Sequence, residues 1–136
     1  MRKTLISLVA GFALAQSVAA QQLPSDPAQA VIQQQLNAFM ADDFQQAFTY
    51  ASPMIKQAFR TTDRFEAMVK SGFPMVWRPA DVKFLGQKAM GPVTRQQVMI
   101  TDQAGTLHML EYEMLQTDEG MQINGVRFIR GPQAGA

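Results

Sequence analysis

The sequence predicts an α+β domain, with N-terminal helices packed on one face of a curved, four-stranded antiparallel meander. Three observations predict it. Between Asp26 and Gly72, apolar residues recur at helical spacing, and two segments open on a cap-then-proline pair, Asp26-Pro27 and Ser52-Pro53. From Val82 onward, four segments of alternating character are separated by short turns rich in Gly, Pro and Asp. Helices first and strands after, with no alternation between them, give a sheet covered on one face.

Ahead of the domain lies an address. Arg2 and Lys3 precede an apolar run, Leu5–Ala15, and Val18-Ala19-Ala20 puts small residues at the −3 and −1 positions of a cut after Ala20. The run falls short of the ~20 residues a membrane span needs. The expectation is a signal peptide over 1–20, cleaved to leave a soluble protein in the periplasm or outside the cell with no membrane attachment. A flexible leader (21–25), one α+β domain (26–130) and a tail (131–136) complete the expected layout.

The first helix starts at Asp26-Pro27 and runs to about Ala41. It carries Val31, Ile32, Leu36, Phe39 and Met40 on one face and Gln33, Gln34, Gln35 and Asn37 on the other. Asp42 or Asp43 caps a second helix, with Phe44, Ala47, Phe48 and Ala51 inward. Ser52-Pro53 starts a third segment with Met54, Ile55, Ala58 and Phe59 inside. Thr62 or Asp63 caps a fourth around Phe65, Met68 and Val69, closed by Gly72 in a left-handed conformation. Phe73–Pro79 is bracketed by prolines and reads as extended chain or a surface lid. The strand candidates are Val82–Ala89, Thr94–Thr101, Leu107–Gln116 and Met121–Arg130. Ile123 and Val126 both point inward only if a bulge lies between them, which Gly125 permits.

Composition narrows the chemistry. There is no cysteine, so disulfides, thiolate metal sites and thiol redox are excluded. Two of the twelve basic residues and none of the eleven acidic ones fall in the signal segment, so the net charge of +1 turns slightly negative on cleavage. A near-neutral domain without a basic run offers nucleic acid no footprint. The ten methionines include no Met-x-Met or Met-x-x-Met pair, which favours core filling over copper binding. Lys56, Arg60 and Arg64 form a basic stripe only if the third and fourth helices are continuous; otherwise they are a solvated face. No cofactor and no metal follow from the sequence.

The arrangement resembles a known outline. Gln35-Leu36-Asn37-Ala38-Phe39 with Asp42-Asp43, Ala47-Phe48 and Ala51-Ser52-Pro53 is similar to the cystatin-like cone of the nuclear-transport-factor-2-like superfamily. Phe65–Pro74 and Asn124-Gly125-Val126 resemble a narrower group of exported proteobacterial proteins known as a domain of unknown function. The resemblance implies the cone fold, an interior cavity and an exported address, and no activity. Isomerases of this superfamily use a carboxylate base. The first strand here offers Lys83 and Gln87 instead, so no catalytic residue is carried over.

On Leu107–Gln116, strand alternation places His108, Leu110, Tyr112 and Met114 on one face and Leu107, Met109, Glu111, Glu113 and Leu115 on the other. The charged face is the solvated one, so His108 and Tyr112 point toward the core or a cavity in it. Asp42, Asp43 or Glu66 are the candidate partners for His108. Trp77, between two prolines, is either a lid or an anchor, and Tyr50 either lines the same cavity or caps a core edge. The candidate pocket is therefore Tyr50, Trp77, His108 and Tyr112. The expected function is a non-catalytic module. It takes a small apolar ligand in the cone, or a protein partner on the open sheet face, where Met99, Met109 and Leu107 would serve a homodimer. The alternative is an isomerase-, dehydratase- or cyclase-like enzyme, with His108 as acid–base and Tyr112 as hydrogen-bond donor.

Overall fold

Five helices precede four strands in the computed structural model, which describes residues 23–130. The signal segment with its cut after Ala20, the first residues of the leader and the tail from Gly131 lie outside the described residues.

Each helix starts for a local chemical reason. In α1 (Pro27–Met40) the Asp26 side chain accepts from Gln29 N at 3.0 Å, and Pro27 takes the first turn. Ala28, Ile32, Leu36 and Phe39 fall on its buried stripe, whereas Met40, expected inside, is past the end of that stripe and faces solvent. Asp43, not Asp42, caps α2 (Phe44–Thr49) through Gln46 N. Asp42 turns the chain at φ 56°. Ser52 caps α3 (Pro53–Phe59), which buries no residue fully: Ile55 and Phe59 are half-buried, and Met54 and Ala58, expected inside, are exposed.

Arg60, at φ 68°, breaks the chain between α3 and α4 (Thr62–Gly72), so the basic residues on either side form no continuous helical stripe. The cap of α4 is Thr61 rather than Thr62 or Asp63, because Thr61 holds the extended backbone a cap requires (φ −126°, ψ 153°). Gly72 is the last helical residue, and the chain leaves through Phe73 at φ −138°, so the left-handed exit expected of Gly72 does not occur. The stretch read as extended chain or lid contains a single helical turn, α5 (Pro74–Trp77). Pro74 sits at the first helical position, where its fixed φ suits a helix. Pro79 then pushes Arg78 out of the helical region (φ −135°, ψ 67°) and ends the turn.

The strands β1 (Asp81–Met90), β2 (Val93–Thr101), β3 (Leu107–Thr117) and β4 (Gly120–Phe128) pair antiparallel in chain order. This is the α+β architecture expected, with the core between α1 and the inner sheet face. Val98 and Ile100 from β2 and Leu110, Tyr112 and Met114 from β3 are buried there. Two irregularities shape the sheet. At the first, Phe84 faces Val98 and Gln87 faces Gln96, so Leu85-Gly86 bulge out of β1. The buried Gln96 amide fills the gap: its Nε2 donates to Leu85 O at 3.0 Å, and its Oε1 accepts from Gln29 of α1 and Gln87 of β1.

The second irregularity is the bulge that Ile123 and Val126 require. Glu113 faces Gly125 while Met114 faces Ile123, leaving Asn124 as the extra residue. Asn124 Nδ2 donates to Glu113 Oε2 at 2.8 Å, and Ser52 Oγ donates to Asn124 Oδ1 at 2.7 Å. Backbone bonds from Ser52 N to Ile123 O and from Ile123 N to Tyr50 O complete the tie between the α2–α3 corner and β4. Ser52 is fully buried and serves both the cap and the bulge. Ser52→Ala is expected to remove about 1–2 kcal/mol of stability, read as a lower urea midpoint at unchanged slope.

Candidate functional site: an apolar cavity between helices and sheet

The bulge has a consequence for the interior. With Ile123 and Val126 on the same face, β4 joins Tyr112 of β3 in lining a cavity of about 210 Å³ beneath the helices. The helical walls are aromatic: Phe39 of α1, Phe59 of α3, Phe65 of α4, and Phe73 where α4 hands over to α5. Phe65 is the hub, with ring centres 5.9 Å from Phe39, 4.7 Å from Phe48 and 6.1 Å from Phe59. Phe73 stacks on the half-exposed Phe128 at 5.0 Å with ring planes 3° apart, which puts an aromatic lip on the β4 side.

Two polar side chains line the cavity. Gln35, expected on the solvent face of α1, is 4% exposed, and its Nε2 donates to Ala47 O at 3.1 Å. The signal was present in the sequence: Ile32, Gln35, Leu36 and Phe39 follow the i, i+3, i+4, i+7 rhythm of a buried face. Its polarity hid it. Tyr112 is 1% exposed and forms the sheet side of the wall. Burial pushes the phenol well above its ordinary range, so it stays protonated. No Asp, Glu, His, Lys or Arg among the described residues lines this cavity.

Of the four candidate residues, the cavity takes Tyr112 alone. His108 shares the inward face of β3 but sits near its start, half-exposed. Its Nε2 lies 2.8 Å from Asp102 Oδ2, so its partner is the β2–β3 turn rather than Asp42, Asp43 or Glu66. Asp102 Oδ1 accepts from Ala104 N and Thr106 N, both at 2.9 Å, the usual way an Asp organises a tight turn. Trp77 is an anchor: its indole Nε1 donates to Asp42 Oδ1 at 2.9 Å, and the Arg78 guanidinium and Lys70 ammonium each sit 4.6 Å from its ring. The Tyr50 hydroxyl accepts from Gln46 Nε2 at 3.0 Å on the outside of α2.

The hydrogen bond from His108, followed by those from Thr106 and Ala104, holds the Asp102 carboxyl below its ordinary value. A carboxylate lowered in this way contributes stability above the ordinary carboxylate pKa and loses it as pH falls through the lowered value. In His108→Ala, the Asp102 midpoint is expected to rise toward the ordinary value in a carbon-detected NMR titration. Cavity binding in that variant should stay within about twofold of wild type, since the two sites share no residue.

The outer sheet face is built differently. The Glu111 carboxylate is held at 2.6 Å by Arg127, with Arg95 at 4.0 Å. Met99 lies opposite Met109, and Leu107 is well exposed at the strand's start. Among the described residues no helix is long and apolar enough to cross a membrane, and no three His, Asp or Glu side chains gather.

The chain is similar to a solved structure of an NTF2-like protein from Campylobacter jejuni, at 7% identity and a TM-score of 0.48, over 67% of this chain and 91% of that one. No curated protein matches it. Residues 22–136 match the model of a family described as a domain of unknown function, DUF4864. The chain belongs to that family, as the likeness of Phe65–Pro74 and Asn124-Gly125-Val126 to a domain-of-unknown-function group led one to expect.

Proposed function

We propose that this domain is an exported, non-catalytic binding module that holds one small apolar ligand in the cavity between α1, α4 and β3–β4. The observation that carries the reading is the composition of the cavity wall: aromatic and aliphatic side chains, two neutral polar groups and no charge. An apolar void of ~150 Å³ in a protein interior stays dry and binds benzene, and pockets for drug-sized ligands begin near ~300 Å³. A space of about 210 Å³ therefore suits a single ring or a small fused pair. Acid–base catalysis needs a titratable group within reach of the substrate. His108 lies outside the cavity wall, beside Asp102 in the β2–β3 turn, and no Asp, Glu, His or Lys stands in the wall with Tyr112. Export rests on the Arg2–Ala20 segment.

Native mass spectrometry of the chain, isolated gently from the periplasm of a producing cell, tests both parts. The expected species begins at Gln21 and carries a small mass that is lost on denaturation. An uncleaved chain contradicts the export reading. A chain that is empty as isolated and takes up no neutral aromatic compound contradicts the binding reading.

A further inference from the structure

We propose that the outer face of the sheet is a docking groove for an extended acidic segment of a partner protein. The segment crosses the strands from Gly86 to Gly125 and seats one carboxylate between Lys88 and Arg95. The groove opens on the side of the sheet away from the helices and stands independently of any ligand in the cavity.

The two bulges create the groove. Leu85-Gly86 in β1 and Asn124 in β4 lie at opposite edges of the sheet, and beside each a glycine leaves the outer surface bare. Two adjoining depressions of about 270 and 240 Å³ result, with Arg95 and Glu111 shared between them. Gly86 and Lys88 belong to the first, Gly125 and Arg127 to the second.

Neither glycine is required by the chain's own packing. Gly86 and Gly125 lack the left-handed φ of Gly91, Gly105 and Gly120. A methyl group at Gly125 would meet no atom within 4 Å, and one at Gly86 would meet only Gln97 Oε1, at 4.0 Å. Glycine within a strand costs backbone entropy and packs no side chain. Close approach by another backbone is a standing reason to keep one there. From β1 to β4 the floor spans three strand spacings, ~14 Å, which an extended chain covers in about four residues.

Charge gives the sign of the partner. Arg127 holds Glu111 at 2.6 Å, and Glu113 Oε2 accepts from Asn124 Nδ2 at 2.8 Å. Arg95 stands 4.0 Å from Glu111 and 3.9 Å from Glu113, beyond hydrogen-bonding distance of either. Directly across the β1–β2 ladder from Arg95 is Lys88, which joins no ion pair among the described residues. Like charges directly opposite on a sheet repel. A carboxylate between them relieves that repulsion and accepts charge-assisted hydrogen bonds, with the guanidinium fork suited to both of its oxygens. A basic segment would add to the repulsion. The bare floor calls for a backbone and the Lys88–Arg95 pair for an anion, and an acidic stretch of extended chain supplies both.

The test titrates the intact protein with three probes, acetyl-Ala-Ala-Glu-Ala-Ala-amide, its Gln analogue and acetate, followed in amide correlation spectra. The Glu peptide is expected to shift Gly86, Lys88, Arg95 and Gly125 and to bind roughly fivefold more tightly than the Gln peptide, the upper worth of one exposed ion pair. Arg95→Gln should erase that preference. Gly86→Val, which sets a branched side chain on the floor, should weaken both peptides together at an undiminished urea midpoint; Arg95→Gln leaves the bulge untouched and keeps the test readable if that variant folds poorly. Equal binding of the two peptides, a preference that survives in Arg95→Gln, or no shifts on this face from either peptide overturns the proposal. Acetate binding as tightly as the Glu peptide overturns it too, because the site is then a simple anion contact. A dimer in sedimentation that Gly86→Val dissociates overturns it by assigning the face to a second copy of the chain.

Discussion

Phe65→Ala is expected to lower the free energy of unfolding by about 3–5 kcal/mol. The side chain is 4% exposed and packs against the rings of Phe39, Phe48 and Phe59, joining α1, α2, α3 and α4 through one residue. Truncating it removes a large apolar group from the core. The void left behind opens into the existing cavity, where no neighbouring atoms stand ready to collapse into it. That places the effect at the upper part of the large-to-small range. At ~4 °C or more per kcal/mol for a domain of this size, the melting temperature should fall by over ~12 °C. Urea unfolding followed by circular dichroism reads the loss, and an unchanged slope assigns it to the folded state. A loss below about 1 kcal/mol would mean that the aromatic hub is not part of the stabilising core.

Val69→Phe should act in the opposite way on structure and more severely on binding. Val69 of α4 is buried and lines the cavity. A phenyl ring at this position has an existing space to enter, so the usual overpacking penalty of about 1–3 kcal/mol should be largely avoided. The ring then occupies the volume a ligand needs. Affinity for indane or 1-indanone should fall at least about tenfold, equivalent to ~1.4 kcal/mol, while the urea midpoint stays near that of wild type. Stability and binding thus move apart in this variant, whereas in Phe65→Ala stability falls first. Undiminished binding by a folded Val69→Phe protein would locate the ligand elsewhere.

Both predictions turn on residues whose burial was legible in the sequence, and the fold was legible for the same reason. Asp26-Pro27 and Ser52-Pro53 state where helices start, and period-two alternation states which face of β2 and β3 is inward. Even the β4 bulge was implied, since Ile123 and Val126 could share a face in no other way. The α5 turn was misread because two prolines five residues apart were given one meaning. Their effects differ: Pro74 starts a helix, and Pro79 ends it through the residue before it.

The site was less legible than the fold. Tyr112 was found because alternation places it by parity with Leu110 and Met114. His108 has the same parity, but parity does not say how far along a strand the covering helices reach. β3 begins next to an exposed turn, and Asp102 six residues back was the nearer partner. Trp77 was drawn to Asp42 by a hydrogen bond between segments far apart in the chain, which no local pattern encodes. Gln35 was lost because a polar residue on a helix was assigned to solvent, although its spacing put it on the buried stripe.

The most direct test of the binding reading is a pair of amide correlation spectra of the protein, with and without saturating indane or 1-indanone. The account predicts shifts concentrated at Gln35, Val69, Tyr112 and Ile123, the same set for both ligands, with the β2–β3 turn around Asp102 and His108 unmoved. Shifts confined to the outer sheet face around Met99 and Met109, or no shifts at all, would contradict it.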